Sequence, residues 1–148
     1  MLKGIFSSNT ALIELGSGSS TKTKILLEHI PGISAYIPID ISEEMLSETV
    51  QELKRDFSDI QVEGVCADYT QSFSLPALEV EKKVVFFPGS TIGNFEPEES
   101  VWFLQRITWL LEPGDQLILG VDRKKDIDMK ELPITTVLTL LLHLIKTC

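Results

Sequence analysis

One segment constrains the fold more than any other: Ala11-Leu12-Ile13-Glu14-Leu15-Gly16-Ser17-Gly18-Ser19-Ser20-Thr21-Lys22, followed by a second apolar run that ends in an acid, Tyr36-Ile37-Pro38-Ile39-Asp40. A short apolar run, a turn with two glycines and a helix-compatible stretch form a strand–turn–helix unit. Such a turn brings backbone close to a polar ligand beside a helix N-terminus. Asp40 lies 22 residues past Gly18. That is near the roughly 20-residue offset at which the acid ending a second strand reaches a ribose. Together the two signals describe a nucleoside site. Thr21 stands where G-x-G-x-x-G would place its third glycine. Packing a pyrophosphate onto the helix start favours glycine there, so the pattern leans away from dinucleotides and towards a ligand without phosphates.

The rest of the chain repeats the same alternation. Ala11–Leu15 reads as a strand, Lys22–His29 as a helix closed by Pro31-Gly32, and Ala35–Asp40 as a second strand. Ser42 is placed as an N-cap for the next helix, with Glu43 and Glu44 in the first turn, where the helix dipole favours negative charge. Met45, Leu46, Val50 and Leu53 give that helix an apolar stripe. Ile60–Ala67 predicts a third strand ending at Asp68, and Val84–Phe87 a short strand buried on both faces. Pro97 opens a helix with a stripe of Val101, Leu104, Ile107 and Leu111; Pro113-Gly114 ends it, and Gln116–Val121 is a fifth strand. Strands separated by helices or long crossovers imply an α/β fold with a mostly parallel, doubly wound sheet. Ligands in such sheets sit outside the carboxyl ends of the strands, so Gly16, Asp40, Asp68 and Gly89 are expected to line one crevice.

Composition narrows the partners. The net charge of −9 argues against a nucleic-acid substrate, which needs clustered Lys and Arg. Cys66 and Cys148 offer neither a disulfide framework nor metal-ligand spacing, which suggests a reducing, cytoplasmic setting. Cys66 itself is expected to be a small buried hydrophobe. The N-terminal apolar stretch is too short for a secretory signal. The apolar run Ile134–Ile145 is 12 residues long, short of the roughly 18 a membrane span requires.

The crevice positions carry specific chemistry. Gly16 and Gly18 let the chain pass beneath a ligand, and the acceptor-only carboxylate of Asp40 suits two ribose hydroxyls. Asp68 offers an acceptor for an exocyclic amine, and Tyr69 a wall for a purine; a turn-forming acid and a packing tyrosine are the plainer alternatives. Lys22 is within reach of a ligand carboxylate from the first helical turn, or is a solvated surface lysine. After the fourth strand, Gly89-Ser90-Thr91-Ile92-Gly93-Asn94 forms a polar loop, where Asn94 both donates and accepts; Asn94 could equally cap the helix that follows. His29 and His143 sit in apolar helical patterns, and no Ser–His–Asp set, Cys–His set, metal cluster or phosphate loop emerges. Methyl transfer from S-adenosylmethionine needs none of these groups, because its sulfonium is already a good leaving group.

At these residues the chain resembles the histidine-specific, S-adenosylmethionine-dependent methyltransferases, which trimethylate the α-amino group of histidine on the route to ergothioneine. The resemblance is carried by Leu12–Thr23, Tyr36–Ser42, Cys66–Thr70, Gly89–Asn94, Pro113–Asp115 and Gly120–Asp126. It implies a Rossmann-like class I methyltransferase sheet. It also implies that Gly16, Gly18, Lys22, Asp40, Asp68 and Tyr69 bind S-adenosylmethionine, and that Gly89 and Asn94 contact an amino-acid substrate, histidine first. No catalytic side chain and no metal are implied. Against the family pattern, residues 1–126 are expected to be an N-terminally shortened methyltransferase core. Residues 127–148 are expected to be an atypical apolar tail in place of the family's substrate domain and last strands, leaving Gln116–Val121 as an unprotected edge. A remnant that keeps only cofactor binding, and a nicotinamide-dependent oxidoreductase, are the alternative readings.

Overall fold

The computed structural model describes residues 5–88 and 91–120. Six strands and three α-helices follow one another among these residues: β1 (Thr10–Leu15), α1 (Thr21–His29), β2 (Ile33–Asp40), α2 (Glu43–Asp56), β3 (Gln61–Val62), β4 (Val65–Cys66), β5 (Lys82–Phe87), α3 (Pro97–Leu110) and β6 (Gln116–Leu119). The strand order is β3-β2-β1-β5-β6, with β4 also on β2, and every pairing is parallel. β1 is buried along its whole length, as a central strand covered on both faces must be.

Period-2 alternation splits the core into two layers. Leu12, Tyr36 and Val84 point to the face that packs Leu27 of α1 and Leu53 of α2. Ile13, Leu15, Ile37, Ile39, Val85 and Phe87 point to the other face, where α3 lays down Phe103 and Ile107. The helix boundaries follow local chemistry. α3 starts with a reciprocal capping box between Glu96 and Glu99 and a proline in its first turn. Glu96, not Asn94, therefore occupies the cap. The α3–β6 turn uses Gly114 at φ +101°, and Asp115 accepts from the Lys83 and Glu112 amides at 2.7 and 2.8 Å, tying that turn to β5.

Four details differ from the sequence expectation. The third strand is two fragments interrupted at Glu63-Gly64, both paired with β2. A Cβ on Gly64 would come within 2.9 Å of Leu46 and Val50, so this position lets α2 press against the sheet. The buried side of α2 is Leu46, Thr49 and Leu53, with Met45 exposed. α3 buries Phe103 and Ile107, leaving Val101, Trp102 and Trp109 exposed. Cys66 is exposed rather than buried. Among the described residues, no helix is long and apolar enough to cross a membrane. β6 forms one edge of the described sheet. Val121 and the tail, including Ile134–Ile145, His143 and Cys148, lie outside the described residues.

Candidate cofactor crevice

The parallel register sets the crevice. Leu15 of β1 pairs with Ile39 of β2, and Asp40 pairs with Cys66 of β4, so the segments after these strands leave the sheet at the same end. The Gly16 and Ser17 amides both donate to the Ile39 carbonyl, at 2.8 and 3.1 Å, and the Ala67 amide donates to the Asp40 carbonyl at 3.0 Å. Gly16, Asp40 and Asp68 are thereby gathered along one rim.

Both glycines of the turn are left-handed, Gly16 at φ +67° and Gly18 at φ +52°, a conformation glycine adopts without steric cost. A Cβ on Gly16 would lie 3.2 Å from the Tyr69 ring, so that ring is stacked against the turn. Around Gly18 a Cβ would meet nothing within 4 Å, which leaves its surface open. Asp40 uses its two carboxylate oxygens on different loops. Oδ2 accepts from the Gly18 amide at 2.9 Å, and Oδ1 accepts from the Ser42 amide at 3.0 Å. The second bond anchors the start of α2, whose N-cap Ser42 makes no side-chain capping bond of its own.

Tyr69 is both packing residue and wall. Its ring meets Phe87 edge-on at 5.3 Å and Phe103 at 6.2 Å. Burial first, then the carboxylates of Asp68 and Asp40, push its phenol above the usual range. Tyr69 therefore stays protonated and neutral at physiological pH. Asp68 is exposed, and its Oδ1 accepts from the Thr70 hydroxyl at 2.6 Å and the Thr70 amide at 2.8 Å. These two bonds, the hydroxyl's first, hold its carboxyl below the ordinary range.

The remaining predicted positions are less engaged. Lys22 is exposed on the first turn of α1; the lysine of that helix with ion pairs is Lys24, to Glu52 and Asp56 at 2.6 Å each. Asn94 is exposed in a 3-10 turn, Thr91–Asn94, that follows β5. Gly89 lies outside the described residues. A groove of about 390 Å³ opens nearby between α3 and the Thr70-Gln71 turn, also lined by Phe95, Trp102 and Arg106. None of the predicted site positions lines it.

Sequence reasoning missed two features beneath the turn. The Ser17 hydroxyl is buried with no hydrogen-bond partner among the described residues, an arrangement that favours a polar ligand atom next to it. Glu14, on the fully buried central strand, accepts from the Thr23 hydroxyl at 2.6 Å and from the Tyr36 hydroxyl. Desolvation raises the Glu14 carboxyl pKa against the opposing pull of those two bonds. An acid inside an otherwise apolar strand is an anomaly, and it was the available signal.

A parallel sheet in this order, with a glycine turn after its first strand, is Rossmann-like, and solved structures with the same fold include S-adenosylmethionine-dependent methyltransferases. The glycopeptide N-methyltransferase MtfA, solved with S-adenosyl-L-methionine, superposes with a TM-score of 0.56 at 19% identity, over 76% of this chain and 47% of that one. The family model for histidine-specific, SAM-dependent methyltransferases matches residues 2–131, and the chain belongs to that family. Histidine N-alpha-methyltransferase of Mycobacterium tuberculosis is 35% identical over 119 residues, covering 78% of this chain and 36% of that protein. An L-tryptophan methyltransferase of Psilocybe serbica is 30% identical over 141 residues, covering 81% of this chain and 39% of its own. The chain thus spans little more than a third of the length of these relatives.

Proposed function

We propose that this chain binds S-adenosylmethionine in the crevice formed by Gly16–Ser20, Asp40 and Asp68-Tyr69, as the cofactor-binding part of a methyltransferase acting on the α-amino group of histidine or a related amino acid. Within it, residues 1–126 form the methyltransferase core. The single observation that carries the reading is Asp40, which reaches across to the Gly18 amide from the end of the neighbouring strand and keeps further lone pairs free for ribose hydroxyls. The orphaned Ser17 hydroxyl and the open surface over Gly18 fit a polar ligand on the turn.

When bound, S-adenosylmethionine supplies an electrophilic methyl on a sulfonium that is ready to leave. The chain's residues align and shield rather than attack. Asp40 and the ionised Asp68 place negative charge along the rim, which favours a cationic ligand. Neutral Tyr69 closes one wall, backed by Phe87 and Phe103. Lys22 is assigned to the ligand carboxylate, and Gly89 and Asn94 to the amino-acid substrate. The partner class is a small amino acid. The relatives include a histidine N-alpha-methyltransferase and an L-tryptophan methyltransferase; both amino acids carry an α-amino group and differ in the ring, so histidine is the first candidate and an aromatic relative the second.

Titration calorimetry with S-adenosylmethionine, S-adenosylhomocysteine and NADH tests the reading. Micromolar-range binding of the first two is expected; saturation by NADH alone, or no binding, rejects it. Incubation with S-adenosylmethionine and either histidine or tryptophan, followed by mass measurement for gains of one to three methyl groups, ranks the acceptors.

A further inference from the structure

We infer that Tyr36 is a positioning residue that sets the shape of the cofactor turn through Ser20, an inference resting on the reading of that turn as the S-adenosylmethionine site. Ser20 closes the glycine turn and precedes α1. It holds a left-handed backbone (φ 52°, ψ 18°), although it is not glycine. Serine at this place ordinarily spends its oxygen on an amide of the first helical turn. Ser20 makes no such capping bond; its hydroxyl lies 2.7 Å from the Tyr36 hydroxyl instead.

The direction of this chain of bonds follows from its end. Glu14 is buried and its carboxylate only accepts. Tyr36 donates to it, so the Tyr36 oxygen accepts from Ser20. The Thr23 hydroxyl, on the first turn of α1, donates to the same Glu14 oxygen. All four side chains are buried. Two contacts therefore hold the start of α1 and the close of the turn onto the sheet. The Ser20 carbonyl accepts from the Lys24 amide and the Ser20 amide donates to the Ser17 carbonyl, each at 2.9 Å. Displacing Ser20 would thus carry along both Ser17, with its buried hydroxyl, and the first turn of α1. A strained left-handed serine persists where its surroundings hold it, and Tyr36 is the tether.

Amide hydrogen exchange on the full chain reads the tether directly, and S-adenosylmethionine titration reads its consequence. Tyr36→Phe removes one oxygen and is expected to speed exchange at the Gly18 and Ser20 amides about tenfold and to weaken cofactor binding by a similar factor, the scale of one hydrogen bond. β1 and β2 amides should stay protected. Ser20→Ala should reproduce the loss. Ser20→Gly, which takes positive φ without strain, should weaken binding less than Ser20→Ala and, combined with Tyr36→Phe, should recover part of the affinity that Tyr36→Phe loses. A general packing role for the hydroxyl would not produce that rescue. Unchanged exchange in both Tyr36→Phe and Ser20→Ala overturns the inference, as does equal affinity of Ser20→Ala and Ser20→Gly. Should Tyr36→Phe unfold, the Ser20 pair decides. A wild-type chain that binds no S-adenosylmethionine rejects the cofactor reading, while exchange still decides whether Tyr36 sets the turn.

Discussion

Asp40 and Asp68 are both acids that close neighbouring strands of one sheet, yet they are used differently. Asp40 spans 22 residues of sequence to hold the Gly18 amide while also holding the start of α2. Asp68 is exposed, and among the described residues its carboxylate accepts only from Thr70, two residues away. The first carboxylate joins two loops, whereas the second organises its own turn. A position after a parallel strand therefore places an acid at the crevice without telling what it does there; its partners decide.

That contrast orders the expected effects. Gly16→Val should be the most damaging change. It forces a branched side chain into φ +67°, with its Cβ 3.2 Å from the Tyr69 ring. Stability should fall by about 2–4 kcal/mol and cofactor binding should vanish. A denaturation midpoint equal to wild type would show that Tyr69 does not pack on the turn. Asp40→Ala comes next, with S-adenosylmethionine affinity reduced by about 1–3 kcal/mol as charged hydrogen bonds go unmade; unchanged calorimetric affinity removes Asp40 from the site. Asp68→Ala should cost less than about tenfold in affinity, because its present bonds are local and solvated. A loss larger than that of Asp40→Ala would invert the comparison.

Glu14 supplies the smallest effect and the sharpest sign. Its folded pKa is raised above the ordinary value of 4.5, so the native state holds more protons than the unfolded chain just above that value. Its contribution is complete below about pH 4.5 and is lost as pH rises through the folded pKa. Denaturant midpoints over a pH series should show this downward slope for wild type, and Glu14→Gln should flatten it. An identical slope in the variant would mean that the buried carboxyl is ionised without penalty.

Much of the architecture was legible. The apolar runs at Ala11–Leu15, Ala35–Asp40, Val84–Phe87 and Gln116 onward all mark strands in the structure. Pro97, Pro113-Gly114 and the Ser42-Glu43-Glu44 start each mark a helix end. The helix stripes were only half right. Periodicity shows that a helix has an apolar side, but in α3 it does not choose between Val101 and Phe103, because both recur at helical spacing. Contact with Phe87 and Tyr69 selects Phe103. The third strand failed as one unit because Gly64 lies where α2 presses closest, and backbone proximity of that kind leaves no mark in hydropathy. In the crevice, Gly16, Gly18 and Asp40 were visible from spacing. Tyr36 reads in the sequence as one more apolar strand residue, because its hydroxyl partner Glu14 is 22 positions away.

By itself, the sequence determined the order of elements, the parallel sheet and the end of that sheet at which Gly16, Asp40 and Asp68 gather. Those follow from local propensity and from periods of two and 3.6 residues, each contained within a short window. Only the tertiary structure decided that Asp40 grips the glycine turn, that Tyr69 leans on Gly16, and that Ser20 is tied through Tyr36 to Glu14. Hydrogen bonds and ring contacts depend on distances between side chains brought together by strand register. That register is a property of the assembled sheet, not of any one segment.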